Sequence, residues 1–265
     1  MDHTYWHKQT PGKALFPELV WSRPENKAHA GKLLIIGGNA HGFAAAAEAY
    51  SEALKSGVGL ARVLLPDCLR KTVGKIFAGG EFAPSTPSGS FSGKSLAEFL
   101  DASLWADGVL LAGDLGKNSE TAALIENFSQ KYSGQLTITQ DAADYFIDSS
   151  PLFSRPKTTL VLGRSQLQKF VAASRQPTAI TSGMDLLKLI EALHETSNFE
   201  PLNFITIHQQ NILVAVDGQV GSTKLAAGGQ PEIIKISAGA AVWWLQNPAQ
   251  TFEALSSAVL GNNLT

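Results

Sequence analysis

The stretch from Lys32 to Leu65 constrains the fold most. It opens on KLLII, apolar at every position after the lysine, and passes through the loop GGNAHG (Gly37 to Gly42). It continues into the Ala-rich segment FAAAAEAYSEALK (Phe43 to Lys55) and closes on LARVLL (Leu60 to Leu65). A strand apolar at successive positions buries both faces, which a half-solvated hairpin does not need but a parallel sheet between helices does. Alanine favours helix, and Gly57 supplies the stop. The segment therefore reads as a right-handed βαβ crossover.

The pattern recurs. Asp107 to Ala112 (DGVLLA) leads through a glycine turn into a helix from Ser119 to Tyr132 and the strand Gln135 to Thr139, and another apolar strand follows at Thr158 to Leu162. Helical segments come next, around Gln166 to Ala173 and Met184 to His194, the latter apolar at Leu186, Leu187, Ile190 and Leu193. Phe204 to His208 and Ile212 to Val216, with turn residues between them, read as antiparallel strands at one edge. Two closing helices, Ile233 to Leu245 and Thr251 to Leu260, are separated by Asn247 and Pro248. No linker divides these 265 residues, so one domain is expected. The tract APSTPSGSFSGK (Ala83 to Lys94) reads as a surface excursion.

The formal net charge is −2, which points away from nucleic acid and membrane surfaces as partners. The single cysteine, Cys68, excludes an internal disulfide and fits a reducing compartment, so a cytoplasmic protein is expected, with Cys68 passive at a strand end. No run approaches a membrane span, and the opening MDHTYWHKQTPGK has no apolar signal segment.

In open parallel sheets ligands bind beyond the carboxyl ends of the strands, so the loops that follow strands matter most. These are Gly37 to Gly42 with Asn39 and His41, Gly113 to Asn118 with Asp114, Gln140 to Asp144, Gly163 to Gln166, and the helix-opening AAGGQPE (Ala226 to Glu232). Asp114 is suited to contact a hydroxyl or to cap the helix near Ser119. Asp141, Asp144 and Asp148 fit turn and cap duties better than metal binding, and the scattered histidines show no metal-ligand spacing, so no metal site is expected. Trp243 and Trp244 are adjacent on a helix. One is expected inside and the other at a cleft edge or against a second subunit, a hint of a homo-oligomer.

Two readings of AAGGQPE stand. A helix N-terminus attracts anions, and Glu232 lies where a first-turn carboxylate would act as general base. Pro231, however, has no N–H to donate to a phosphate and is comfortable as the first residue of an ordinary helix.

In order, these segments resemble the ADP/ATP-dependent NAD(P)H-hydrate dehydratase family of the ribokinase-like fold. AHAGKLLIIGGN with EALKSGVGLARVLLP is similar to the family's first βαβ unit. VLLAGDLGKNSET resembles IGPGLGxxxxT with Asp114 for a glycine, and TITQDAADYF resembles LDADAL, keeping Asp141 with Thr139 for the first aspartate. VLGRSQLQKF stands in the place of LTPHPGEFxRL, with Arg164 for the histidine and Leu167 for the glutamate. ITIHQQNILVAV resembles VVLKGxxTVIA, with His208 for the lysine and Gln209 for the glycine. VGSTKLAAGGQPE aligns with TGNxxLAxGGxGD, so Pro231 and Glu232 replace the final glycine and aspartate.

The resemblance covers residues 25 to 262, with 1 to 24 as an N-terminal extension. It implies a three-layer α/β/α ribokinase-like domain whose central sheet is mostly parallel with an antiparallel edge. It also implies dehydration of hydrated NADH or NADPH, or binding of a similar nucleotide-like ligand, with ADP or ATP and Mg²⁺ as cofactors. Glu232 would be the base. His208, Gln209, Gly228 and Gly229 would hold the nucleotide, and Gly38, Asn39, Ala45, Asp114, Asp141 and Arg164 the substrate. The eroded motifs leave three outcomes: an impaired dehydratase, an inactive homologue that binds a nucleotide or a protein, or a kinase of another small metabolite.

Overall fold

The computed structural model describes residues 3–10, 12–74, 80–176, 178–181, 183–226 and 232–261. Among them ten strands form one sheet: β1 (Trp6–Gln9), β2 (Lys32–Gly37), β3 (Leu60–Pro66), β4 (Gly80–Ala83), β5 (Gly108–Gly113), β6 (Gln135–Thr139), β7 (Thr158–Leu162), β8 (Leu202–His208), β9 (Asn211–Val216) and β10 (Gln219–Lys224). The order across the sheet is β1-β10-β9-β8-β7-β6-β5-β2-β3-β4. All pairings are parallel except β8 with β9 and β9 with β10, so the expected antiparallel edge is present.

The helices are α1 (Pro17–Trp21), α2 (Ala44–Lys55), α3 (Arg70–Val73), α4 (Leu96–Trp105), α5 (Ser119–Lys131), α6 (Gln140–Ile147), α7 (Arg164–Ala173), α8 (Leu186–Phe199), α9 (Ile233–Gln246) and α10 (Thr251–Gly261). The two-sided strands explain the layers. Leu34 and Ile36 of β2 join the core under α4 to α8, while Leu33 and Ile35 alternate to the opposite face against α2 and α9. On that second face α9 and α10 also cover Ile205, Ile212 and Val214 of β8 and β9. This is the three-layer α/β/α architecture.

Three expectations change. The pair Trp243 and Trp244 does not split between core and surface: both are buried, at 5% and 3% exposure. The reason is that α9 is enclosed by the sheet, α2 and α10, so its apolar arc exceeds half a turn. The Arg23 guanidinium lies 4.5 Å from the Trp243 ring, and Trp244 Nε1 donates to Thr251 Oγ1 at 3.1 Å. The pair therefore carries no information on subunit association.

The second concerns the N-terminal residues, which add a strand: β1 pairs in parallel with β10, and buried Gln9 donates to Thr223 Oγ1 and Ser256 O, each at 3.0 Å. The third is the Ser-rich tract, which is no surface excursion. Thr86, Ser90, Phe91 and Ser92 are buried, and Ala40 N donates to Gly89 O at 2.9 Å, so the tract lies against the loop after β2.

Tyr132, at the end of α5, stacks on Phe128 with ring centroids 5.3 Å apart. Burial pushes its hydroxyl up to about 12, against the pull of the Arg155 charge and with a small addition from Asp107. A folded-state value above the ordinary value of about 10 means that the contribution to stability is complete below pH 10 and is lost as pH rises toward 12. In an alkaline titration of phenolate absorbance, Tyr132 is expected to ionise last, together with loss of near-ultraviolet circular dichroism. Tyr132→Phe should remove that step; an unchanged titration curve would show that another tyrosine carries it.

Candidate functional site

The strand order reverses between β2 and β5, and the crevice beyond their carboxyl ends is where an open sheet of this kind takes ligands. Glycine makes the close approach there. A Cβ on Gly37 would lie 2.7 Å from Gly113 O, and Gly38 and Gly113 have φ of +94° and +105°. Gly38 N donates to Gly113 O at 2.9 Å. Asn39 Nδ2 donates to Asp114 O at 2.6 Å, and Asn39 Oδ1 accepts from His41 N at 2.7 Å.

Asp114 does not cap the helix at Ser119. Its Oδ2 accepts from Ala45 N at 2.8 Å and so serves the first turn of α2, while Asn118 Oδ1 caps α5 by accepting from Glu120 N and Thr121 N. Asp141 Oδ2 accepts from Gly116 N at 3.0 Å and clamps the turn after β5. Burial raises the Asp141 carboxyl above its usual range; the Gly116 and Leu115 amides oppose the shift, and the charges of Asp114 and Asp144 add to it. Gly38, Asn39, Ala45, Asp114 and Asp141 are thus brought together; the Asn39 and Asp114 side chains are engaged by neighbouring loops, whereas Asp141 Oδ1 is buried with no hydrogen-bond partner among the described residues. Two positions where the resemblance expects carboxylates, Thr139 and Leu167, are buried in the protein interior at 0% and 1% exposure.

Sequence reading placed Arg164 and His208 in different subsites, but the structure joins them. Arg164, the first residue of α7, donates through Nη1 to His208 Nδ1 at the end of β8 and through Nη2 to Thr181 O at 2.6 Å. His208 is 3% exposed. Burial lowers the affinity of its ring for a proton, the Arg164 charge lowers it further, and Asp185 partly opposes both. The adjacent Gly163 packs near Ile233, since a Cβ there would lie 3.9 Å from Ile233 Cδ1, while the pair itself lies toward Thr181 and Asp185 on the segment that enters α8. Gln209 has φ +52° and Asp114 φ +56°, so both residues that stand for expected glycines keep the left-handed backbone that glycine favours.

Gly228, Gly229 and Pro231 lie outside the described residues. Glu232 is the N-cap of α9, and its side chain caps nothing. It accepts from Lys235 Nζ at 2.7 Å, and the same ammonium lies 3.8 Å from Glu48 Oε1 on α2. The hydrogen bond from Lys235 holds the Glu232 carboxyl below its usual range, with further help from Glu48. Glu48 is raised, first by burial and then by its hydrogen bond with Glu232 and that group's charge. Falling pH therefore protonates Glu48 before Glu232. Sequence reasoning missed both partners. The spacing Glu232-Ile-Ile-Lys235 could have indicated the lysine, whereas Glu48 comes from a helix remote in sequence.

Among the described residues no group of three or more His, Cys, Asp and Glu side chains could hold a metal ion. No helix among them is long and apolar enough to cross a membrane.

The layers, strand order and crevice define a ribokinase-like fold, and solved structures agree. A ribokinase-like superfamily protein from Enterococcus faecalis V583 superposes with a TM-score of 0.71 at 15% identity, covering 100% of this chain and 88% of its own. An ADP/ATP-dependent NAD(P)H-hydrate dehydratase from Bacillus subtilis, co-crystallised with ATP/Mg²⁺, gives 0.60 at 13% identity over 96% of this chain and 83% of its own. Ribokinase from Cryptococcus neoformans var. grubii in complex with ADP gives 0.56 at 10% identity over 88% and 93%. No protein-family model matches the sequence, and no curated protein matches it.

Proposed function

We propose that this chain binds an adenine nucleotide at the carboxyl edge of its sheet and dehydrates hydrated NADH or NADPH slowly or not at all. The observation that carries the impairment is the state of Glu232: exposed, ion-paired with Lys235 at 2.7 Å, and held below the usual carboxylate range. A general base works best with a pKa near the operating pH, and this environment moves Glu232 the other way. Loss of the Pro231 amide hydrogen removes one donor from any phosphate cradle at this turn, and a missing donor of that kind costs about a hundred- to a thousandfold in rate.

Nucleotide binding is supported by the chemistry left open at the carboxyl edge of the sheet. Asn39 and Asp114 satisfy one another's loops, whereas the Arg164 guanidinium has no carboxylate partner among the described residues and so suits a phosphate. Mg²⁺, where required, would be held through the nucleotide's phosphates and would offset their charge. Phosphoryl transfer to a small hydroxylated metabolite is the second reading, supported by the likeness in fold to a ribokinase.

The test incubates the protein with chemically hydrated NADH, Mg²⁺ and ADP or ATP and follows the return of reduced-nicotinamide absorbance beside an active GGxGD dehydratase. Recovery about a hundredfold slower or more is expected. Nucleotide at a hundred times its Kd should add about 2.7 kcal/mol to stability in a thermal shift. Recovery at the control's rate, abolished by Glu232→Ala, would overturn the impairment; no thermal protection by either nucleotide would overturn the binding. Consumption of ATP with a metabolite panel would move the assignment to a kinase.

A further inference from the structure

Two polar atoms of the Arg164–His208 pair, at the carboxyl ends of β7 and β8, have been taken out of water without a partner. His208 Nε2 and Arg164 Nε are both buried and make no hydrogen bond among the described residues. Their geometry determines what they can accept. A guanidinium only donates, so the contact from Arg164 Nη1 makes His208 Nδ1 an acceptor, and the ring proton must sit on Nε2. His208 is then a neutral imidazole with one unused N–H, itself 3% exposed, beside a cation with one unused N–H of its own.

Protonating Nδ1 would set two donors against each other and place an imidazolium against a guanidinium. The charged groups that bear on this ring among the described residues are Arg164 on α7 and Asp185 at the start of α8. The Asp185 carboxylate is already engaged as a helix cap, since its Oδ1 accepts from Lys188 N at 2.8 Å.

We propose that Arg164 and His208 form a single subsite for one anionic, acceptor-only group of the ligand, a phosphate or sulfate-like oxyanion, in which Arg164 is the positioning residue that fixes His208 as a neutral Nε2–H donor. The subsite deepens the nucleotide-binding reading but is separable from it, because the pair recognises the oxyanion and not the base or sugar. Where the sequence suggests two subsites, one contact merges them, and a group bound here receives a charge from Arg164 and a directed hydrogen bond from His208. Because the imidazole contributes no titrating charge, affinity for an anion of constant charge should not change with pH across the neutral range.

Sulfate is the probe for that claim, since its charge does not vary there, and the readout is the ring ¹⁵N spectrum of His208 together with Kd. In the full-length protein the Nε2–H tautomer is expected to persist well below the ordinary histidine pKa of about 6.5. Sulfate and ADP should both shift the Nε2 resonance, and adenosine should not. Arg164→Met should weaken sulfate about tenfold or more, the scale of a hydrogen bond to a charged group, and restore ordinary titration of the ring, so that the remaining affinity rises as pH falls. A role for Arg164 in folding alone would not produce that change in pH profile. His208→Phe should remove the directed bond, and His208→Gln, which retains an N–H, should recover part of it.

Sulfate and ADP that both bind without moving the His208 resonance, or a wild-type ring that titrates normally, would overturn the subsite while leaving nucleotide binding intact. Failure of ADP to bind while sulfate still shifts Nε2 would instead overturn the nucleotide reading and leave the subsite standing. No response to sulfate or ADP would overturn both.

Discussion

Arg155→Met is expected to lower stability by about 3 to 5 kcal/mol, because two or more buried acceptors lose their donor at about 1 to 3 kcal/mol each. Arg155 is 8% exposed and has no carboxylate partner among the described residues. Its guanidinium is instead surrounded by backbone carbonyls. Nε donates to Ser129 O at 2.8 Å; Nη1 donates to Pro156 O, Lys157 O and Thr158 Oγ1 at 3.1, 3.3 and 2.7 Å; Nη2 donates to Tyr132 O and to Gly134 O at 2.9 Å. One side chain thus ties the end of α5 to the segment entering β7. Burial pulls its pKa down, because the low-dielectric interior disfavours the charged form.

Methionine matches the length but leaves several carbonyls without a donor, at about 1 to 3 kcal/mol for each that stays buried. Lysine restores charge at a single point and should recover only part of the loss, because it cannot reproduce the planar fork. Urea unfolding of wild type, Arg155→Met and Arg155→Lys provides the check. A loss below about 1 kcal/mol for the methionine variant would mean that water replaces the guanidinium at little cost.

Gly113→Ala is expected to cost a similar amount, about 2 to 6 kcal/mol, by adding backbone strain to overpacking, each of which costs about 1 to 3 kcal/mol. The φ of +105° at Gly113 lies outside the regions open to alanine, and the new Cβ would stand 2.6 Å from Gln140 Cβ and 3.1 Å from Asp141 Oδ1. Because Gly113 O accepts from Gly38 N across the switch point, relaxation at Gly113 would also move the loop carrying Asn39. Nucleotide affinity should therefore fall with stability. Gly42→Ala is the control: it belongs to the same loop cluster, has no positive φ, and a Cβ there meets nothing within 4 Å. Its stability should stay within about 0.5 kcal/mol of wild type. Equal effects for the two substitutions would show that this crevice tolerates a Cβ at its narrowest point.

The departures from the resembled motifs take on physical meaning once the chain is folded. Asp114 and Gln209 occupy expected glycine positions, and both hold the left-handed conformation at φ +56° and +52°. The left-handed backbone that the resemblance expects of a glycine is present there although neither residue is glycine. At Asp114 the new carboxylate is put to use as the acceptor for Ala45 N. Thr139 and Leu167 show the opposite outcome: residues that would have been carboxylates are absorbed into the interior, where a charge would need a partner.

The architecture was legible in the residue order because it depends on local pattern. KLLII followed by a glycine loop and an Ala-rich helix can bury its strand on both faces only in a layered parallel sheet, and the turn residues near Gln209 announce the antiparallel edge. What the side chains at the strand ends do depends on neighbours far away in the chain, and no periodicity encodes that. Arg164 meets His208 across 44 positions, Lys235 meets Glu48 from another helix, and Trp244 is covered because α10 returns over α9. Burial and hydrogen bonding are properties of the assembled surfaces, so the tautomer of His208, the tethering of Glu232 and the enclosure of both tryptophans were decided only by tertiary structure.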